Sequence, residues 1–148
     1  MSSPPSPFVV RERIRWSDCD PLGIVFYGAY LRFFEIAEFE FLRSVGLPYN
    51  VLRVDHGVWL PRKAFGAEFH HPAVMDEEID ISISVTRVGT TSITFQFEVT
   101  RASDGEPRAS ASSTVVCVDK STYSKQPVPA WLREKLGGGP KTEEGNAK

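Results

Sequence analysis

The chain has 148 residues, of which 41% are apolar, 24% charged and 11% aromatic, and 17 Lys and Arg against 19 Asp and Glu leave a net charge of −2. That balance excludes a mainly disordered chain and a nucleic-acid binder held by a basic field, and no apolar run reaches the roughly 18–20 residues of a membrane span. One compact domain is the default at this length, where folding buries about 70% of the unfolded surface without disulfide or metal staples.

Residues 1–7 have neither the positive nor the apolar region of a secretory signal and read as a short extended lead. Cys19 and Cys117 are too few for a disulfide framework, so two free thiols in a reducing, cytoplasmic setting are expected. Residues 8–16 alternate loosely, Val10, Ile14 and Trp16 against Arg11, Arg13 and Arg15, which predicts a first strand. Turn formers fill Ser17-Asp-Cys-Asp-Pro-Leu-Gly23. From Gly28 to Val45 the period becomes helical, with Tyr30, Leu31, Phe33, Phe34, Ala37, Phe41, Leu42 and Val45 apolar, and Arg32, Glu35, Glu38, Glu40 and Arg43 interrupting. A helix so apolar on most sides is expected inside the curve of a sheet, and Gly46 with Pro48 stops it.

Four strand-like runs follow. Residues 59–71 carry Phe65, Ala67 and Phe69 on one side; Ile79, Ile81, Ile83 and Val85 alternate with polar residues; Ile93, Phe95, Phe97 and Val99 do the same; and Asp104-Gly105 turns into a run over 107–119. Such alternation is the mark of antiparallel strands with one dry face. The small residues Ala109, Ser110, Ala111, Ser112 and Ser113 predict close approach of something bulky, the helix first of all. A short helix near 129–136 ends at Gly137-Gly-Gly-Pro140, and residues 141–148 are polar, so the folded unit is expected over 8–136 with a disordered tail over 137–148. Strand, helix and four strands make an α+β two-layer domain, a sheet curled around one long helix.

The chemistry concentrates in residues 16–30, where two carboxylates in a turn precede a helix start. A helix start carries free N–H groups and the positive end of a dipole, so a nearby carboxylate is placed to attack, or to deprotonate water, while those N–H groups hold an oxyanion. The plainer reading is that Asp18 or Asp20 caps the turn. Other chemistries fail on spacing. An EF-hand loop starting at Asp18 would have Leu22 and Ala29 where ligands belong. His70 and His71 lack further ligands, and as neighbours on a strand they face opposite sides, so a structural role is expected. Cys19 has no local His to activate it and reads as packing. No metal or cofactor is expected.

The string Asp18-Cys-Asp-Pro-Leu-Gly-Ile-Val-Phe-Tyr27, followed by Tyr30 and Phe33-Phe34-Glu35, resembles the 4-hydroxybenzoyl-CoA thioesterase family of hotdog-fold enzymes. The likeness runs on through 65–72 and 89–95, covering about residues 8–119. It implies a long helix wrapped by a five-stranded antiparallel sheet, hydrolysis of acyl- or aroyl-CoA, and dimers or tetramers with sites between protomers. By position it puts the catalytic carboxylate on Asp20 and the oxyanion N–H on Tyr27, with Glu35 at an acidic position. Two departures stand out. Relatives have Pro-Asn after the tyrosine where this chain has Gly28-Ala29, which reshapes the pocket mouth. Their basic residue for CoA phosphates falls in Gly89-Thr90-Thr91-Ser92, leaving Thr91 and Ser92 as hydrogen-bond donors and Arg62, Lys63 or Arg87 as sources of charge. Phe26, Tyr27, Tyr30, Phe34 and Trp59 are expected as walls of an apolar pocket for a medium-chain or aromatic acyl group. The same machinery would serve an acyl carrier protein thioester, and a third reading is a hotdog module that binds acyl-CoA without turnover, against which a carboxylate at position 20 argues.

Overall fold

The computed structural model describes residues 7–137, so all of the expected lead but Pro7 and all of the expected tail but Gly137 lie outside the described residues. The strands are β1 Phe8–Arg13, β2 Val58–Trp59, β3 Arg62–Phe69, β4 Glu78–Val88, β5 Ser92–Arg101, β6 Pro107–Val116 and β7 Val118–Asp119. The long helix α1 is Tyr30–Ser44 and the short α2 is Ala130–Lys135. Five strands form one antiparallel sheet in the order β1-β4-β5-β6-β3, and β2 pairs with β7 alone. With α1 held in the concave face, this is the hotdog fold.

The two central strands follow their alternation. Ile79, Ile81 and Ile83 of β4 and Ile93, Phe95, Phe97 and Val99 of β5 are buried. A bulge between Val85 and Arg87 shifts the register, so Val88 is the residue that turns inward at the end of β4. The outer strands depart from expectation. Ile14 is buried, but β1 has already ended, and Trp16 opens a 3-10 turn at Trp16–Asp18 with 82% of its surface exposed. Pro61 divides the predicted run over 59–71 into β2 and β3.

The small residues of β6 serve a different purpose from the expected one. Ala109, Ala111 and Ser113 are buried, yet the backbone of α1 runs over β1 and β4 and away from β6. Rings fill the gap. Phe34 lies 5.0 Å from Phe97 and 5.7 Å from Phe65, and Tyr30 lies 5.3 Å from Phe69, centroid to centroid. These contacts bridge a seam between α1 and the edge strand β3 without closing it. Apart from half-buried Ala67, every residue of β3 is exposed, Phe65 and Phe69 included. At the opposite end of the sheet, Arg133 of α2 donates to the carbonyls of Val88 and Gly89 at 2.9 and 2.8 Å and ties α2 to the β4–β5 turn. Among the described residues no helix is long and apolar enough to cross a membrane.

Candidate active site

Asp20-Pro21-Leu22-Gly23 forms a tight hairpin. The Gly23 N–H donates to the Asp20 carbonyl at 2.9 Å, the Asp20 N–H donates to the Ile24 carbonyl at 2.9 Å, and Cys19 bridges Val25. Asp first, Pro second and a left-handed glycine (φ +82°) last is the sequence such a turn requires. The chain then passes through a 3-10 turn, Tyr27–Ala29, directly into α1. The Phe26 N–H donates to the Asp18 carbonyl and the Ala29 N–H to the Phe26 carbonyl, so the Tyr27 and Gly28 N–H groups are the two left without a carbonyl partner at the start of the helical segment. No acidic residue occupies the first turn of either segment.

The two carboxylates of the string divide their roles. Asp18 is buried, accepts the Arg15 N–H at 2.8 Å and takes a three-contact ion pair from Arg32 of α1 at 2.8–3.2 Å. It fastens the loop to the helix. Asp20 is half-buried; its Oδ1 accepts the Leu22 N–H at 2.8 Å, and its Oδ2 accepts no protein hydrogen bond. Between them, burial and the two flanking carboxylates push the Cys19 thiol up, away from the reactive thiolate.

Two clefts lie end to end along the seam. The first, about 280 Å³, opens at the helix start and is lined by Ile24, Val25, Tyr27, Tyr30, Phe69, His70, His71 and Pro72. Asp20 is not in its wall, but is hydrogen-bonded across the hairpin to Ile24, which is. The second, about 410 Å³, runs beside the next helical turns and is lined by Leu31, Phe34, Glu35, Glu38, Arg62, Phe65, Phe97 and Ser113. Tyr30, Phe34 and Glu35 thus fall on the seam, and Tyr27 projects its side chain at the mouth. Phe26 is 42% exposed and lies against Gly28, where a Cβ would come within 2.7 Å of the ring.

Several expected site residues are elsewhere. Trp59 lies in a separate cleft with Tyr49, Leu52 and Arg53, its ring edge-on to Tyr123 at 5.4 Å and beneath the Arg53 guanidinium. Thr91 and Ser92 are beyond the far end of β4. The start of that strand adjoins the Asp18 loop, through the Ile14 N–H donating to the Glu77 carbonyl, and eleven residues of strand put about 35 Å between them. Ser92 is also buried, against Gly89. Arg62 is no free cation for phosphates: it pairs with Glu38 at 2.8 Å and donates to Ser113 at 2.7 Å. Lys63 sits on exposed β3, and Arg87 is at the β4 bulge beside the distant turn. His70 and His71 lie past the end of β3, so strand geometry does not separate them, and both line the first cleft.

Sequence reading missed Glu38. It is 1% exposed, accepts hydrogen bonds from Arg62 and from the Tyr49 hydroxyl, and forms the polar floor of the second cleft. The signal was present, because Glu38 stands one helical turn after Phe34, on the inward stripe. Burial, reinforced by Glu38, pushes the Tyr49 phenol far up; burial works to lower Arg62, but Glu38 outweighs it and holds the guanidinium protonated.

Residues 14–136 match the thioesterase-like superfamily. A putative esterase of Aquifex aeolicus is 32% identical over 93 residues, 63% of this chain and 72% of that protein. The acyl-CoA thioester hydrolase YbgC of Escherichia coli is 27% identical over 117 residues, 79% and 86% of the two chains. A solved thioesterase-superfamily protein from Jannaschia superposes with a TM-score of 0.83 at 28% identity, covering 93% of this chain and 96% of the other.

Two outcomes test the site's electrostatics. Arg62→Met strands a buried carboxylate and is expected to lower unfolding stability by about 2 kcal/mol, below the usual range for a broken buried pair because the arginine side is solvent-open; adding Glu38→Gln should restore most of it in urea titrations. Tyr30 is pushed up to about 12, first by burial, with Arg108 lowering and Glu77 raising it. Above the ordinary phenol value of about 10 the unfolded chain loses this proton and the folded chain keeps it, so stability should fall from about pH 10 to pH 12, and less steeply in Tyr30→Phe.

Sequence match, fold and superposition agree: the chain belongs to the thioesterase-like superfamily.

Proposed function

We propose that this thioester hydrolase acts on acyl-CoA in the manner of the 4-hydroxybenzoyl-CoA thioesterase type, with Asp20 as nucleophile or general base and the Tyr27 backbone N–H as oxyanion donor. One observation carries the reading. A carboxylate with an unengaged oxygen and a helix start with unengaged N–H groups belong to one tight loop, which opens on an apolar seam. Thioester hydrolysis needs little more. The leaving thiol, with a pKa of about 8.5, departs largely as thiolate, which leaves two demands: an oxygen nucleophile, and stabilisation of charge on the carbonyl oxygen. One oxyanion donor contributes about 2.7–4 kcal/mol to the second.

The second cleft receives the acyl group between Leu31, Phe34, Phe65 and Phe97, with Phe26 and Tyr30 at its entrance and Glu35 beside it. At about 30 Å³ per water-sized group, about 410 Å³ suits a medium chain or one to two aromatic rings. A second copy of the chain closes the seam by pairing along β3, an edge strand whose exposed Phe65 and Phe69 would otherwise face water. The superfamily match and the YbgC relative support the CoA thioester as substrate.

The test is release of free thiol from short, medium, long and aromatic acyl-CoAs, with medium-chain or aromatic substrates expected to lead. Asp20→Asn should keep the oligomer and lose about 10²–10⁴ in kcat; near-normal turnover would move the catalytic role to another acid, and a wild-type chain inert on every acyl-CoA would overturn the reading. Phe65→Glu is expected to give monomers by analytical ultracentrifugation and to lose activity with assembly. A wild-type chain that is monomeric and fully active would refute the shared site.

A further inference from the structure

The first cleft has a polar occupant that the proposed mechanism leaves idle. His70 is engaged, its Nε2 within 3.0 Å of the Ser110 hydroxyl. His71 is exposed, makes no hydrogen bond among the described residues and lines the same cleft as Tyr27 and Tyr30. The cleft holds about 280 Å³, which at about 30 Å³ per water-sized group is room for some nine groups. The cleft opens at the Tyr27 helix start, where the proposed mechanism holds the thioester carbonyl, so an imidazole in its wall faces the reacting end of the substrate; the CoA phosphates lie many bonds further out.

We infer that His71 is the proton donor to the departing thiolate, an inference that rests on the thioesterase reading above. Water attacks the carbonyl carbon as Asp20 takes its proton; the tetrahedral intermediate collapses by breaking C–S, and the electron pair leaves on sulfur. Sulfur takes an N–H proton from the His71 imidazolium, and the Asp20 proton returns to the imidazole through solvent, so acid and thiol are the products. Glu106 is the carboxylate that interacts electrostatically with His71. Its carboxyl is held low first by the hydrogen bond from Arg108, with the charges of Arg101 and His71 adding to this and its own burial opposing it. Arg108, behind it, is paired with both Glu106 and Glu77 at 2.5 Å, while the neutral Tyr27 and Tyr30 phenols and His70 complete the surroundings.

A general acid matters in proportion to how poor the leaving group is, which separates this role from binding or packing. His71→Gln and His71→Ala, exposed changes that disturb no hydrogen bond, are compared with the wild type on an acyl-CoA and on the S-phenyl thioester of the same acid, whose thiol is far more acidic. Expected is a loss of about tenfold in kcat on acyl-CoA, with less than about twofold on the phenyl thioester. The modest size reflects how readily even an alkyl thiolate leaves, against about 10²–10⁴ for general acids at large. The alkaline fall in wild-type kcat on acyl-CoA should vanish in both variants and be missing for the phenyl thioester. Equal losses on the two substrates, or no loss on either, overturn the assignment while leaving the thioesterase intact. A wild-type chain that hydrolyses neither overturns both.

Discussion

Helix α1 packs over β1 and β4, and the other half of the sheet is left for side chains to cover. Because the inward residues of β6 are Ala109, Ala111 and Ser113, there is volume above that strand which the rings of Tyr30, Phe34, Phe65, Phe69 and Phe97 occupy only in part. An off-centre helix and a strand of small residues are thus a single arrangement. Centring the helix would bury β3 and abolish the seam; filling β6 with large residues would do the same. The open seam is also the reason that the edge strand exposes Phe65 and Phe69, so that the cleft and the proposed association surface have one physical origin.

The second requirement is that the helix start be held against the loop that carries Asp20. Asp18 supplies this by joining the Arg15 backbone to the Arg32 guanidinium, a charge-assisted fork inside a partly buried site. The adjacent acid could then be left half-engaged. Two aspartates two residues apart look equivalent in sequence, and it is the difference in their partners that makes Asp18 a fastening and leaves Asp20 for the role proposed above.

What could be read from the amino-acid sequence followed from period and turn chemistry. Ile79 to Val99 alternate because two faces of a sheet see different solvents, and Asp20-Pro21-Leu22-Gly23 turns because each residue suits its backbone angles. The misplacements arose where one-dimensional distance misled. Trp59 follows α1 closely in the chain but lies beyond its C-terminal end; Thr91 and Ser92 are on the wrong end of an eleven-residue strand; His70 and His71 were assigned strand geometry one residue after the strand had stopped. Glu38 was overlooked because a carboxylate on an inward stripe is explicable only once Arg62 and Tyr49, 24 and 11 residues distant, are known to meet it.

Gly28 adjoins the oxyanion site proposed at the Tyr27 N–H. The Phe26 ring lies where a Cβ at position 28 would be, 2.7 Å from its Cε2, so a glycine allows an aromatic ring to cover the backbone beside the two free N–H groups. A hydrogen-bond donor screened from water interacts more strongly with a developing negative charge than one in open solvent, because the effective dielectric is lower. The cover must also admit substrate under the proposed mechanism, and Phe26 is 42% exposed. A Pro-Asn pair at positions 28 and 29 would place a ring and a polar side chain there, dictating a fixed mouth; Gly28-Ala29 makes the mouth as adaptable as a single phenylalanine. Under the proposed mechanism, an adaptable entrance leaves substrate selectivity to the second cleft, with its polar floor of Glu38 and Arg62.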